Sequence, residues 1–258
     1  MCLIAFAWRC HPRYSLALIA NRDELHARPS AAAAFLTDAP DVYGGRDLDK
    51  GGGWLQVSTR RRLAAVTNVR AGRSPEAAPR SRGELVHRLV RETGVMLPAW
   101  LPETAGEFGR FNLLGWDGDE LHFASNHPQY SSRRVEPGLH RLSNAALDAD
   151  WPKARRAQNA LRDWLDSADA RADTPTLEPL FAALADRERA DDADLPDTGV
   201  GIELERMLSP PFIVGERYGT RSSSIVLVDA EGMSFCERTF GPNGRLLGET
   251  RQHLPPMR

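Results

Sequence analysis

The chain is short of cysteine, of long apolar runs and of net charge, and each shortage excludes a class of protein. Three cysteines among 258 residues, Cys2, Cys10 and Cys236, cannot build a disulfide framework. No Cys-x-x-Cys pair or Cys/His cluster has the spacing of a structural zinc site. The thiols are therefore free to act as nucleophiles, and a reducing cytoplasm is the expected compartment. No apolar stretch approaches the ~18 residues of a membrane span, so no integral membrane segment is expected. The apolar run from Cys2 to Trp8 lacks a basic flank and is too short for a signal peptide. With 33 basic and 35 acidic residues the net charge is −2, which gives no general attraction to nucleic acid or to an acidic membrane surface. The seven histidines form no metal triad: His26, His122, His127 and His140 lie far apart, and Cys10-His11-Pro12 is a turn. No metal site is expected.

What is present suits an ordinary globular protein, with 41% hydrophobic and 26% charged residues and a single domain over residues 1–258. Strand-like runs come in pairs. Cys2 to Trp8 and Tyr14 to Ala20 flank a prolyl turn; Trp54 to Thr59 and Leu63 to Val69 flank three arginines; Phe111 to Trp116 and Glu120 to Ser125 flank Asp-Gly-Asp. Ser223 to Val228 and Met233 to Phe240 form a late pair. Helical spacing is found over Ser81 to Thr93, with a Ser81/Glu84 capping box, and over Asp150 to Ser167, with Asp150 as N-cap. It continues over Thr176 to Arg189 and Gly201 to Leu208. Strands from both ends of the chain with helices between them fit antiparallel sheets packed together and covered by helices, not a βαβ alternation.

If Trp8 faces Tyr14 across the first turn, Cys2 falls opposite Ala20 and beside Asn21. Asn21-Arg22-Asp23-Glu24 then lies next to the chain start. Those four polar residues suit either a partly buried ion pair closing the sheet end or a reactive site. Cys2 is the sharper mark. Its small side chain permits removal of Met1, which would leave one residue bearing both a thiol and a free α-amine. An α-amine titrates near ~7.7–8.0, so it can act as base for its own side chain. Arg22 nearby would favour the thiolate. Asn68 and Asn144 each close a strand; an amide there can donate to a developing oxyanion, or can simply suit the turn. Gly44-Gly45 and Gly51-Gly52-Gly53-Trp54 have neither phosphate-loop nor dinucleotide spacing, and read as close-packed backbone beside a pocket.

As a set these marks resemble the NRDE family, which includes transport and Golgi organisation protein two. The matching segments are Met1-Cys2-Leu3-Ile4, Ala20 to Glu24, Gly45-Arg46-Asp47, Gly52 to Leu55, Thr67 to Arg70 and Ser81 to Leu85. Further matches are Phe111-Asn112-Leu113, Leu142-Ser143-Asn144, Leu147-Asp148, Trp151-Pro152-Lys153 and Tyr218 to Ser223. That family in turn looks like the N-terminal-nucleophile hydrolases of the penicillin V acylase and bile-salt hydrolase group. The resemblance implies a four-layer αββα sandwich and an amidohydrolase with Cys2 as nucleophile. It further implies Arg22 and Asp23 as positioning groups, Asn68 and Asn144 as oxyanion donors, and Asn21, Glu24, Trp54 and Arg221 around the substrate. Arg221 and Arg238 are both candidates for the group's late arginine. A small amide is the expected partner, with no cofactor. The alternative implied by the family is a haem-binding or haem-trafficking protein on the same fold, without turnover.

Overall fold

The computed structural model describes residues 2–72, 78–92, 94, 97 and 100–256, with Cys2 described through its backbone alone. In chain order the strands are β1 (Cys2–Trp8), β2 (Leu16–Leu25), β3 (Ser30–Leu36), β4 (Ala39–Asp47), β5 (Leu55–Ser58), β6 (Arg62–Asn68), β7 (Phe111–Trp116), β8 (Leu121–Ser125), β9 (Ser131–Arg134), β10 (Gly138–Leu142), β11 (Tyr218–Asp229), β12 (Gly232–Phe240) and β13 (Leu246–Leu254). The helices are α1 (Arg82–Arg91), α2 (Trp100–Thr104), α3 (Pro152–Asp166), α4 (Ala168–Arg171), α5 (Glu178–Leu184) and α6 (Ile202–Leu208).

Two antiparallel sheets result, ordered β10-β1-β2-β11-β12-β13 and β3-β4-β5-β6-β7-β8-β9. Alternation along β1 and β2 explains how they stack. Ile4, Phe6, Trp8, Leu16, Leu18 and Ala20 face the second sheet and form the central core. Leu3, Ala5, Ala7, Ala17 and Ile19 face the other way, onto α3 and α5. Both faces are covered, so these strands read as continuous apolar runs rather than as alternating ones. The stripe Ala154, Ala157, Leu161, Trp164 and Leu165 seats α3 on the first sheet, and Leu85, Val86, Leu89 and Val90 seat α1 on the second. Each large side chain buried this way contributes roughly 1.5–3 kcal/mol. The layers are therefore αββα, as the resemblance implies. Among the described residues no helix is long and apolar enough to cross a membrane.

Several local expectations are corrected. The first hairpin pairs Trp8 with Leu16 and Cys2 with Arg22, two residues beyond the expected register. Its turn is longer than expected because Arg9 takes a positive φ of 45° and its N–H bonds Ser15 O at 2.9 Å. A slip of two keeps every side chain on its expected face. Asp150 does not cap α3. The N-cap is Trp151, and Asp150 instead pairs with Arg141 at 3.0 Å and Arg155 at 2.8 Å. Ser81 does cap α1, accepting from Gly83 N, but Glu84 turns to Arg80 and the reciprocal half of the box is not made. The expected end of that helix, Thr93, lies outside the described residues. The Thr176 to Arg189 helix shrinks to α5.

Candidate active site

β2 does not end at Ala20 but runs on to Leu25, which carries the Asn-Arg-Asp-Glu segment into the sheet. Register then builds a row across four strands. Cys2 pairs with Arg22, Arg22 with Ser222, and Ser222 with Thr239. The row shares the parity of Ile4 and Ala20, so these positions belong to the face between the sheets.

Arg22 is only 6% exposed. Its guanidinium carbon lies 4.3 Å from the centroid of the Trp54 ring, Nη1 donates to Ser30 Oγ at 3.3 Å, and Nη2 is 3.6 Å from Glu24. The glycine bracket makes this stack possible. A Cβ on Gly45 would land 2.0 Å from the Trp54 indole, and one on Gly52 would land 2.3 Å from the backbone of Gly83. Gly51 to Gly53 thus bring the Trp54 loop against the start of α1, which is the close packing expected of them.

Beside the stack lies a cavity of about 310 Å³, walled by Arg22, Asp23, Glu24, Trp54, Asn68 and the α1 start at Ser81 to Gly83. Asp23 is buried, and its Oδ1 accepts from Thr220 Oγ1 at 2.7 Å. Burial pushes its carboxyl above the usual carboxylate range, while Lys153, Thr220 and Arg22 work against that rise. Asn68 ends β6 on the cavity wall. Asn144, wholly buried, donates Nδ2 to Asn68 O at 3.0 Å and to Asn68 Oδ1 at 2.9 Å. Since Asn68 Oδ1 is taken as an acceptor, its Nδ2 is left as the donor for the cavity.

The expected residues are not all in one place. Cys2, Arg22, Asp23, Glu24, Trp54, Asn68 and Asn144 converge, Cys2 by register and the rest by contact. Asn21 does not join them. It faces the helices, donating to Leu184 O at 2.7 Å and Pro211 O at 2.9 Å and accepting from Ser223 at 2.6 Å, so its amide holds the layers together. Arg221 lines a second cavity together with Arg22 and Trp54, one that does not include Asn68. Arg238 is remote, pairing with Glu178 and Glu249 and covering Phe181. Two residues not named individually as site residues from the sequence stand close in. Thr220 holds Asp23, and Lys153, 2% exposed, donates Nζ to Leu208 O at 3.1 Å and places its charge near Asp23. Lys153 was detectable: it sits four residues before Ala157 and eight before Leu161, on the apolar stripe of α3. Thr220 belongs to the hydroxyl-rich Tyr218 to Ser223 segment, whose hydroxyls suit either a polar site or the capping of a sheet edge.

Beyond Arg70 lies a larger hollow of about 890 Å³, with a mainly apolar lining that includes Val200, Ile202, Leu204, Met207 and Leu208. The buried pair Arg70–Glu205, at 2.7 Å, stands at its edge.

Two face-to-face antiparallel sheets under helices give this chain the fold of the N-terminal-nucleophile hydrolases. Penicillin V acylase from Agrobacterium tumefaciens superposes on 98% of this chain and 86% of its own, with a TM-score of 0.54 and 9% identity. A variant of the conjugated bile acid hydrolase from Clostridium perfringens superposes on 98% of this chain and 92% of its own, at 0.51 and 10%. At those identities the likeness is one of fold. A family model described as Transport and Golgi organisation 2 matches residues 1–242. The human Transport and Golgi organization protein 2 homolog is 33% identical over 98% of each chain, and the Drosophila melanogaster protein is 26% identical over 93% of this chain and 92% of its own. The chain belongs to the Transport and Golgi organisation 2 family.

Proposed function

We propose that this protein is a cysteine amidohydrolase of the N-terminal-nucleophile type, cleaving a C–N bond of a small amide. The single observation that carries the reading is the register that pairs Cys2 with Arg22, a residue that lines a cavity together with Asn68. Removal of Met1 frees the α-amine of Cys2. That amine takes the thiol proton as Sγ attacks the carbonyl carbon, then returns it to the departing amine as the C–N bond breaks. The tetrahedral oxyanion is stabilised by Asn68 Nδ2, which Asn144 orients. Water then cleaves the thioester, releasing the acid and restoring the thiol. Arg22 and Asp23 position the reacting residue through charge and hydrogen bonds. The apolar hollow beyond Arg70 supports an amide with an apolar arm. That the two solved structures of like fold are named as an acylase and a hydrolase supports the reaction class, while the substrate differs with the site.

The test is turnover of a panel of fluorogenic amides by the processed protein beside Cys2→Ser and Cys2→Ala. The reading expects Cys2→Ala to be inert and Cys2→Ser to lose most turnover, with both retaining the circular dichroism of the parent. Equal turnover in Cys2→Ala overturns it. No turnover in any form, with a haem absorbance titration that changes in Cys2→Ala, would favour haem handling at the same residue.

A further inference from the structure

The Arg22–Trp54 stack also lines a second cavity, about 230 Å³ in volume. Its wall includes Arg22, Ser30, Trp54, Arg221, Ser222 and Thr239. Nothing in the proposed hydrolysis uses it, and its chemistry is distinctive. Two guanidinium side chains, Arg22 and Arg221, are brought together. Burial and then the Arg22 charge depress the Arg221 pKa, so the two cations repel in a partly desolvated space. Arg221 is fixed in place by its Nη1, which donates to Leu25 O at 2.9 Å and to Arg28 O at 3.0 Å. Its Nε is buried with no hydrogen-bond partner. Ser222, 2% exposed, lies in the same wall, where its hydroxyl acts on the buried carboxyl of Glu237.

The carboxylates nearby offset only part of this charge: Glu24 pairs with Arg22 and works against the lowering at Arg221, and Glu237 feels the Arg22 charge. Glu24, 3.6 Å from Arg22 Nη2, belongs to the wall of the first cavity. Glu237, one row deeper, accepts from Ala33 N at 2.8 Å and from Ser224 Oγ at 2.9 Å. A buried donor left unpaired costs about 1–3 kcal/mol, and more beside like charge, so Arg221 Nε next to a second guanidinium favours an anionic acceptor at this wall.

We propose that the cavity between Arg22, Arg221 and Ser222 is an oxyanion-binding subsite, taking a carboxylate or phosphate group of the ligand. Arg22 would then be shared, with one face toward the anion and the other toward the cavity of Asn68. That the anion belongs to the molecule being cleaved rests on the amidohydrolase reading; the anion site itself does not.

The test is calorimetric titration of the whole protein with inorganic phosphate and, separately, with acetate, against chloride at matched ionic strength. Saturable heat from phosphate or acetate, absent with chloride, is expected, and whichever of the two binds tighter identifies the group. Arg221→Gln should weaken that binding by about tenfold, the worth of one charged hydrogen bond. Because Arg221 also ties the turn after β2, Ser222→Ala serves as the second variant, with an expected loss of about three- to fivefold in a protein that stays folded. Wild-type heats no greater than chloride, or wild-type affinity in Ser222→Ala together with a folded Arg221→Gln, overturns the proposal. Binding is read without turnover, so a failed hydrolase assay leaves this result standing and the reverse also holds.

Discussion

Asn144 Nδ2 donates both to the main-chain oxygen of Asn68, at 3.0 Å, and to its side-chain oxygen, at 2.9 Å, so one buried amide fixes the backbone and the rotamer of another. The two asparagines therefore divide the work. Removing Asn144 leaves buried acceptors unpaired and empties a fully buried site, and Asn144→Ala should cost about 2–3 kcal/mol of stability. Removing the half-exposed Asn68 side chain costs one of those bonds, so Asn68→Ala should stay within about 1 kcal/mol of wild type while losing the oxyanion donor. Urea denaturation of both variants decides it. Equal stability costs would contradict the division.

Glu237 is fully buried between the sheets, and burial pushes its carboxyl up to about 7. An acid whose folded pKa exceeds its unfolded value binds its proton more readily in the folded state. Stability therefore declines as pH rises from near 4.5 to about 7, and levels off above. Gln has the same shape: its oxygen can accept from Ala33 N and its amide can donate to Ser224 Oγ. Glu237→Gln should match wild type at about pH 5 and exceed it at about pH 8 by on the order of 1–3 kcal/mol. Thermal melts at the two pH values test this, and a constant difference between the proteins would sink it.

His140 and Asp148 hold the loop that carries Asn144. Asp148 sits at a positive φ of 66°, bonds His140 Nδ1 at 2.9 Å and accepts from Arg141 N at 3.0 Å. Burial lowers the His140 pKa, but the hydrogen bond to Asp148 and a second to Glu136 O outweigh it, and the net shift is upward. A histidine raised by folding contributes its stability in full below the unfolded value, and that stability is lost as pH climbs through the folded one. Asp148→Asn keeps the tolerance for positive φ but removes the charge. It should lower the His140 pKa in an NMR titration and destabilise the protein at about pH 6 more than at about pH 8. An unmoved His140 titration would show that Asp148 is not the cause.

Much of the site was legible because strand parity survives small errors. The expected pairing of β1 with β2 was two residues short, yet Arg22 and Cys2 still fell on one face and the Asn21 to Glu24 segment still fell beside the chain start. Asn21 was misplaced in role because it was grouped with its neighbours by proximity, whereas alternation sends it to the helices. β3 was missed for another reason. Ser30–Leu36 holds four consecutive alanines, with no β-branched signal, and its strand state comes from pairing with β4 and from Glu237 reaching Ala33 N. β13 is an exposed edge whose polar sequence shows little of the alternation that marks a half-buried strand. The contacts of Arg22 with Trp54 and of Asn144 with Asn68 join distant segments and follow from the fold alone.

The reactive role of Cys2 is most directly tested by alkylating the processed protein with a small electrophile at graded pH and reading each cysteine by peptide mass, after an intact mass has shown whether Met1 is gone. The competing thiols set the scale. Burial pushes the Cys236 thiol up to about 11, and it raises the Cys10 thiol as well, although Cys10 is exposed. With a free α-amine on the same residue and Arg22 as its register partner, Cys2 should label first near neutral pH, and its labelling should abolish amide turnover. Labelling of Cys2 no faster than Cys10, or full turnover after Cys2 is blocked, would contradict a nucleophile at the start of β1.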